Sequence, residues 1–431
     1  MNTTDDEDPE HIKGARPTVA LQTVGCKLNQ AESESLACKF LGAGFGIVAP
    51  DQDPDVYILN TCTVTHIADR KCRHHLRSFR RLNPRALVLA AGCYVDRDAA
   101  GVCVEGVDLA VGNGDKDRMV EIIRDRLGKP GFPDSSPGHD ARLFRTRTLV
   151  KVQDGCNQCC SYCIVPHVRG RERSVPAGEV ISEVKDRAGR GYQEIVLTGA
   201  RIGAYGGAGG LAGLVRRILD ETAIPRFRLS SLQPGELSTS FIDLWRGNGR
   251  ICRHLHLALQ SGSDSVLKRM GRGYSTSEYE ETVNLVREAI PDIAITTDVI
   301  VGFPGESDEE FEESYRFCKR IGFAGLHIFP YSARPGTAAA RMPGEVTQKI
   351  KKARSRIMID LAGRSARDFR WRFSGQTMPV LWEEAKGERL WIGHTDNYIK
   401  VIARSDEPLR GCLTQTKLGG GYEDALWGDI L

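Results

Sequence analysis

The sequence predicts an α/β protein in three parts: an amino-terminal parallel α/β sheet domain, a central partial (β/α)6 barrel, and a small carboxyl-terminal antiparallel β domain. Three observations predict it. Short runs of Val, Ile and Leu alternate with helical segments over residues 17–127 and again over 146–372, the pattern of buried parallel strands joined by crossover helices. The stretch GKPGFPDSSPGHDAR, starting at Gly128, is rich in Pro, Gly and Ser and reads as a linker over 128–145. Beyond residue 372, apolar and polar residues alternate between Gly-rich turns, as in antiparallel strands.

The chain of 431 residues carries a formal charge of only +3 and thirteen cysteines. Residues 1–16 lack apolar periodicity and read as a disordered tail. Its acidic start and the absence of a long apolar run predict a cytoplasmic protein without a membrane anchor. In a reducing compartment so many cysteines point to metal ligands, catalytic thiols or packed interior residues rather than to disulfides.

In the amino-terminal domain, VALQTVGC, VYILNTC and ALVLAAGC each end at a cysteine. Cys26, Cys62 and Cys93 therefore lie just beyond the carboxyl ends of strands, the edge where open α/β sheets place their ligands. Three equivalent positions suit a shared metal cluster; a single such cysteine would read as packing, as Cys38, Cys72 and Cys103 do. A helix beginning near Thr65 carries Arg70, Lys71, Arg73, His74, His75, Arg77, Arg80, Arg81 and Arg85. With almost no acid interleaved after Asp69, it is a solvated face that suits a phosphate backbone.

The central domain opens with TLVKVQDGC, followed by EIVLTG, FRLSSLQP, LHLALQSG, ITTDVIVGFPG and AGLHIFPYS. Alternating βα units of this spacing predict a partial barrel with its site at the carboxyl ends of the strands. There lies DGCNQCCSYCIVPHVRGRERS, with Cys156, Cys160 and Cys163 spaced Cys-x3-Cys-x2-Cys. Three thiolates on one loop hold three irons of a cubane cluster and leave the fourth open to chemistry. Cys159 keeps zinc open as an alternative, because two overlapping Cys-x2-Cys pairs also suit a structural site. On the same rim stand Thr198, Gly199, Ser231, Gln260, Ser261 and Asp298, candidates for holding the polar end of a cofactor. Gly199 is expected to leave backbone free of side chains there. Cys252 and Cys318 read as core, and Cys412 has no obvious partner.

A basic helical stretch follows from Lys349, in which Ile350, Ile357, Ile359, Leu361 and Phe369 are expected to dock. Lys351, Lys352, Arg354, Arg356, Arg364, Arg367, Arg370 and Arg372 are expected to face solvent. MPVLWEEA, RLWIGHTDNYIKVIAR and CLTQTKLGGGYEDALWGDIL make up the last domain, 373–431.

Taken in order, TVGCKLNQAES, NTCTVTHIADRKCR, AAGCY, GCNQCCSYCIVPHVRGRE, HLHLALQSGSDSVLKRM, TTDVIVGFPGE and FPYSARPGT resemble the radical S-adenosylmethionine methylthiotransferases over nearly the whole chain. GCKLN and NTCTVTHIADRK look most like the enzymes that convert N6-threonylcarbamoyladenosine, at position 37 of tRNA, to its 2-methylthio derivative. The resemblance implies two [4Fe-4S] clusters, one on Cys156, Cys160 and Cys163 and an auxiliary one on Cys26, Cys62 and Cys93. It also implies S-adenosyl-L-methionine as cofactor, a TRAM-like RNA-binding carboxyl-terminal domain, the tRNA anticodon stem-loop as partner, and an electron donor such as a flavodoxin or ferredoxin. Sister enzymes acting on N6-isopentenyladenosine are the alternative within the family, and a zinc-containing RNA-binding protein is the alternative outside it. Cys159, Val175, Gln233 and Ala258 depart from residues common in the family, and none of them is a cluster ligand.

Overall fold

The computed structural model describes residues 16–103, 105–128 and 146–431; the expected tail up to residue 15 and the expected linker from residue 129 lie outside them. The amino-terminal strands are β1 (Thr18–Thr23), β2 (Gly46–Ile47), β3 (Val56–Thr61), β4 (Leu87–Gly92) and β5 (Leu109–Val111). All pair in parallel in the order β2-β1-β3-β4-β5. Every residue of β3 is buried, which explains its unbroken apolar run. β2 and β5, of two and three residues, are too short to leave such a run. Helix α1 (Lys27–Gly42) and α5 (Met119–Leu127) cover one face through Phe40, Met119 and Ile123, and α2 (His66–Leu82) covers the other through Leu76 and Phe79. The short helices α3 (Cys93–Arg97) and α4 (Ala99–Cys103) follow β4. The Thr65 hydroxyl caps α2, accepting from Ala68 N at 3.1 Å, as Ser and Thr do for otherwise unpaired first-turn amides.

The central domain contains β6 (Arg147–Lys151), the hairpin β7 (Gln153–Asp154) and β8 (Arg173–Ser174) enclosing α6 (Val165–Arg169), then α7 (Ala177–Gly189), β9 (Glu194–Thr198), α8 (Gly210–Glu221), β10 (Arg226–Leu229), β11 (Ser231–Leu232), α9 (Thr239–Arg246) and β12 (His254–Leu257). It continues with α10 (Asp264–Met270), α11 (Thr276–Ala289), β13 (Ala294–Val301), α12 (Asp308–Ile321) and β14 (Gly325–Pro330). The barrel strands are parallel, ordered β10-β9-β6 and β11-β12-β13-β14. FRLSSLQP is one strand by sequence but two here. At Ser230 the chain leaves its pairing with β9, and from Ser231 it pairs with β12. The barrel stays open between β6 and β14. On the β6 edge the α1 carboxylate of Glu34 accepts from Leu149 N at 3.2 Å and Thr148 Oγ1 at 3.1 Å, so the amino-terminal domain covers an otherwise unpaired edge.

Helix α13 (Gln348–Trp371) spans the last barrel strand and the small domain; Leu361 and Phe369 dock as expected, but the rest of the docking face differs. Ile350, Ile357 and Ile359 are exposed, while Lys351, Arg354, Met358, Leu361 and Phe369 are buried. The reason is an acid elsewhere. Glu306, buried after β13, accepts from Arg354 Nη1 at 2.6 Å, and a buried carboxylate requires its cation. The strands β15 (Thr377–Ala385), β16 (Leu390–Thr395), β17 (Lys400–Arg404), β18 (Leu413–Tyr422) and β19 (Ala425–Ile430) close into a barrel ordered β15-β16-β17-β19-β18. Its pairs are antiparallel except for β17 with β19, which is parallel; closure leaves no free sheet edge. Among the described residues no helix is long and apolar enough to cross a membrane.

Candidate active site

Cys26 caps the start of α1, Cys62 follows β3, and Cys93 opens α3 after β4. Parallel pairing of β1, β3 and β4 brings these three ends to one edge. Gly25, at φ +118°, lies so close to Cys62 that a Cβ there would stand 2.9 Å from its Sγ, so only glycine permits this approach. Burial, with Cys26 and Cys93 adding, pushes the Cys62 thiol up to about 12; a bound cation is what lets such thiolates carry charge. Cys72 is buried and donates to Cys62 O at 3.5 Å, which makes it a packed neighbour.

The second cysteine loop is pinned at its base by Gln153, whose side-chain amide donates to Asp154 O at 2.9 Å and Gly155 O at 2.8 Å. Cys156, Cys160 and Cys163 line one cavity of about 170 Å³. Exposed Cys159 does not line it. Burial, with Cys160 and Cys156 adding, pushes Cys163 up to about 12. One zinc ion would hold its sulfurs about 3.8 Å apart, given Zn–S bonds near 2.3 Å. Among the described residues, the one group of three His, Cys, Asp or Glu whose ligand atoms all lie within 4.8 Å is His256, Asp298 and His327, and it contains no thiol. Neither thiol set is gathered that tightly, and each offers the three-thiolate chemistry of a cubane cluster.

Adjoining this cavity is one of about 240 Å³, which shares Tyr162, Cys163, Val165, Gln260 and Asp298 with it. Its far wall is Val64 and Thr65, on the loop that follows Cys62. This space opens beside Cys163, with Ile164, Ile300 and Phe329 providing apolar walls, and it reaches the amino-terminal domain at Val64 and Thr65. Cys93 packs against Ile164 and Val168 from the other cysteine loop.

Of the predicted cofactor residues, Ser231, Gln260 and Asp298 line the cavity beside Cys156. Gln260 adopts φ +70°, a strained conformation held by its backbone bonds to Asp298 O and Ile300 N and typical of functional positions. Thr198, Gly199 and Ser261 do not line it. Gly199 serves packing, not cofactor room, because a Cβ there would stand 2.8 Å from Gln153 O. Residues that sequence reasoning missed are Arg201, Glu236 and Arg272. Arg272 Nη1 lies 3.2 Å from Cys160 Sγ, and its Nε donates to Tyr274 OH at 3.0 Å. The basic GRGY segment after α10 was the available signal, without a partner to identify it.

Asp298 is itself held by a directional chain. His254 Nε2 and His256 Nδ1 both contact Thr296 Oγ1, at 3.0 and 3.1 Å, and His256 Nε2 lies 3.3 Å from Asp298 Oδ2. Burial, with Arg228 and Lys27 adding, keeps His254 well below the ordinary histidine value, so its ring is neutral. His254 Nδ1 is buried without a partner. Placing the proton on Nε2 leaves only a lone pair there, whereas the other tautomer would orphan an N–H. The chain then runs from His254 Nε2–H to Thr296 Oγ1 and from the Thr296 hydroxyl to His256 Nδ1, with the other ring nitrogen of His256 beside Asp298.

Comparison with known proteins agrees with this geometry. Residues 150–318 match the radical SAM superfamily, and residues 18–112 match uncharacterized protein family UPF0004. The threonylcarbamoyladenosine tRNA methylthiotransferase MtaB of Bacillus subtilis is 37% identical over 430 residues, covering 94% of each chain. This chain belongs to the radical SAM tRNA methylthiotransferase family. A second relative of the methylthiotransferase, the MtaB of Aquifex aeolicus, is 38% identical over 89% of this chain and 96% of its own. The tRNA-2-methylthio-N(6)-dimethylallyladenosine synthase of Syntrophotalea carbinolica is 33% identical over 95% and 98%. Among solved structures, the radical S-adenosylmethionine methyltransferase TsrM from Kitasatospora setae shares the fold, with a TM-score of 0.56 at 16% identity over 76% of this chain and 77% of that one. The family binds S-adenosylmethionine and [4Fe-4S] clusters.

Two expectations about charge are sharpened. Arg70, Lys71, His74, Arg81 and Arg85 are exposed on or just after α2. Arg77 and Arg80 are not free: they pair with Glu105 at 2.5 Å and Asp108 at 2.5 Å, acids distant in sequence.

Proposed function

We propose that this methylthiotransferase acts on N6-threonylcarbamoyladenosine at position 37 of tRNA, installing the 2-methylthio group. The observation that carries the reading is a cavity lined by Cys156, Cys160 and Cys163 whose loop packs, through Ile164 and Val168, on Cys93 of the second three-cysteine set, in a chain whose relatives at 37 and 38% identity bear that activity in their names. Cys156, Cys160 and Cys163 would hold the cluster that binds S-adenosylmethionine, and Cys26, Cys62 and Cys93 the auxiliary cluster. With these groups bound, one-electron cleavage of S-adenosylmethionine supplies a 5′-deoxyadenosyl radical able to take the adenine C2 hydrogen, which no side-chain base can remove.

The chain's own residues then have distinct tasks. Ser231, Gln260 and Asp298 orient the cofactor's polar groups, with Thr198, Gly199 and Ser261 supporting the strand ends behind them. Ile164, Ile300 and Phe329 give the cavity beside Cys163 apolar walls, and a drier site protects a radical from quenching. The larger cavity of about 710 Å³, at the junction of α1, β6 and the small barrel, contains no cysteine. Its Lys27, Arg410, Trp391 and Tyr398 offer the basic and aromatic chemistry that holds RNA strands. We assign 17–127 to the auxiliary site, 146–372 to the radical site and 373–431 to a TRAM-like RNA-binding module. The enzyme works in the cytoplasm on the anticodon stem-loop, with electrons from a flavodoxin or ferredoxin.

Mass spectrometry of tRNA nucleosides from a deletion strain tests the reading. The 2-methylthio form of N6-threonylcarbamoyladenosine should vanish and return on complementation. Loss of the methylthio form of N6-isopentenyladenosine instead would transfer the enzyme to the sister substrate.

A further inference from the structure

One guanidinium joins the two cysteine sites. Arg169 ends α6, six residues after Cys163, and is 5% exposed. Its Nη1 donates to Glu32 Oε1 at 2.8 Å and to Asp154 Oδ1 at 2.9 Å, and its Nη2 donates to Asn29 Oδ1 at 2.6 Å and Glu32 Oε2 at 3.2 Å. Asp154 Oδ1 also accepts from Gly155 N at 2.8 Å, immediately before Cys156. On the other side, Asn29 Nδ2 donates to Val24 O at 2.9 Å, one glycine ahead of Cys26, and to Thr61 O at 2.8 Å, next to Cys62. Lys116, bonded to Glu32 Oε2 at 2.6 Å, lies against Gly92, which precedes Cys93; a Cβ on that glycine would stand 2.9 Å from Nζ. All three auxiliary loops and both ends of the radical loop thus converge on the Arg169–Glu32 contact.

The charges are unlike those of a simple stabilising pair. Arg169, Lys116 and Lys151 surround Glu32 and Asp154, so cations outnumber carboxylates. Burial by itself would raise Glu32, but Lys116, Arg169 and Lys151 outweigh it and hold it well below the ordinary value, so it stays charged. Packed apolar residues would stabilise such a junction as well or better, whereas a fork of directional charge-assisted bonds permits one docking geometry. The sites it joins have to hold reacting atoms in near-contact, where an error of 1 Å costs about 10²-fold.

We propose that Arg169 is the positioning residue that fixes the distance and orientation between the Cys156/Cys160/Cys163 site and the Cys26/Cys62/Cys93 site. The inference rests on the function proposed above. Its test compares reconstituted full-length enzyme with the variants Arg169→Lys and Glu32→Gln, which attack the contact from either side. Three quantities are read: iron and sulfide per chain, the distance distribution between the two reduced clusters by pulsed electron paramagnetic resonance, and methylthio nucleoside formed per 5′-deoxyadenosine.

Both variants should keep wild-type iron and sulfide, broaden the distance distribution, and lower the product ratio by up to about 10²-fold while still making 5′-deoxyadenosine. Wild-type distances and ratio in an iron-replete variant overturn the proposal, as does loss of iron from both variants, which would mark the contact as a folding element. If only Arg169→Lys fails to fold, Glu32→Gln decides on the same readouts. A wild-type enzyme that forms 5′-deoxyadenosine but no methylthio nucleoside would sink the proposed function instead, and the distance measurement would still judge Arg169.

Discussion

Replacing Arg272 with Met should lower the reduction potential of the cluster proposed for Cys156, Cys160 and Cys163. Arg272 Nη1 stands 3.2 Å from Cys160 Sγ in a largely enclosed setting. Hydrogen bonds to cluster sulfurs and nearby charge are principal determinants of such potentials. A charge-assisted hydrogen bond contributes about 1.5–3 kcal/mol. For a one-electron couple, at 59 mV per tenfold change, that corresponds to a shift of about 60–130 mV. The lower figure is the better expectation, because the oxidised cluster also benefits from the bond. The shift is negative, since the reduced and more negative state loses the cation. Met fills much of the stem's volume and leaves no unpaired charge, and Tyr274 OH keeps its bond to Ala258 O at 2.6 Å. Arg272→Lys retains the charge without the planar fork and should fall between the two. The assay is a redox titration followed by electron paramagnetic resonance, in a Cys26/Cys62/Cys93→Ala background that retains a single cluster. An Arg272→Met protein with full iron and a potential within about 20 mV of its parent, well inside the range expected for a lost hydrogen bond, would refute the reasoning.

Cys159→Ser should leave iron and sulfide content unchanged, because Cys159 is outside the cavity that its three neighbours line; a drop in iron by elemental analysis would make it a ligand. Glu194 is buried against Arg228 at 2.9 Å, Arg226 at 2.6 Å and Arg147 at 4.0 Å. Burial would raise its pKa, yet the three guanidiniums outweigh it and bring Glu194 down to about 2. Its stabilisation is therefore complete above the unfolded carboxylate value and is lost as pH falls through about 2. Glu194→Gln should cost about 3–5 kcal/mol in urea unfolding at pH 7, and the gap to wild type should close as pH falls from about 4.3; a gap independent of pH would contradict this. Arg70→Glu with Lys71→Glu should weaken tRNA binding and flatten the plot of log K against log salt by about 2. An unchanged slope would remove α2 from the RNA surface.

Apart from the division of FRLSSLQP into β10 and β11, the central strands were legible in the sequence, as were the positions of Cys26, Cys62 and Cys93 at strand ends and of Cys156, Cys160 and Cys163 on one loop. Parallel strands buried on both faces produce continuous apolar runs, and cysteines just beyond such runs must fall on one sheet edge. β2 and β5 were not legible, because they take their pairing from β1 and β4 and not from any run of their own. Part of the docking face of α13 differs from the expectation for a related reason. Hydrophobicity favoured Ile350, Ile357 and Ile359, but Glu306 selected Arg354 and turned the isoleucines outward. Gly199 suggested room for a cofactor, when the nearby Gln153 backbone was what required it.

By itself, then, the sequence determined the order of the domains, the two cysteine sets and the kind of cofactor they suit, because spacing within a loop and position after a strand are local properties. Only the tertiary structure decided which thiols share a cavity, and it leaves Cys159 outside. It alone joined Arg272 to Cys160 across 112 residues and Arg169 to Glu32 across 137. Such contacts have no periodic signature. They form because a charge taken out of water has to find its counter-charge wherever the fold brings one within reach.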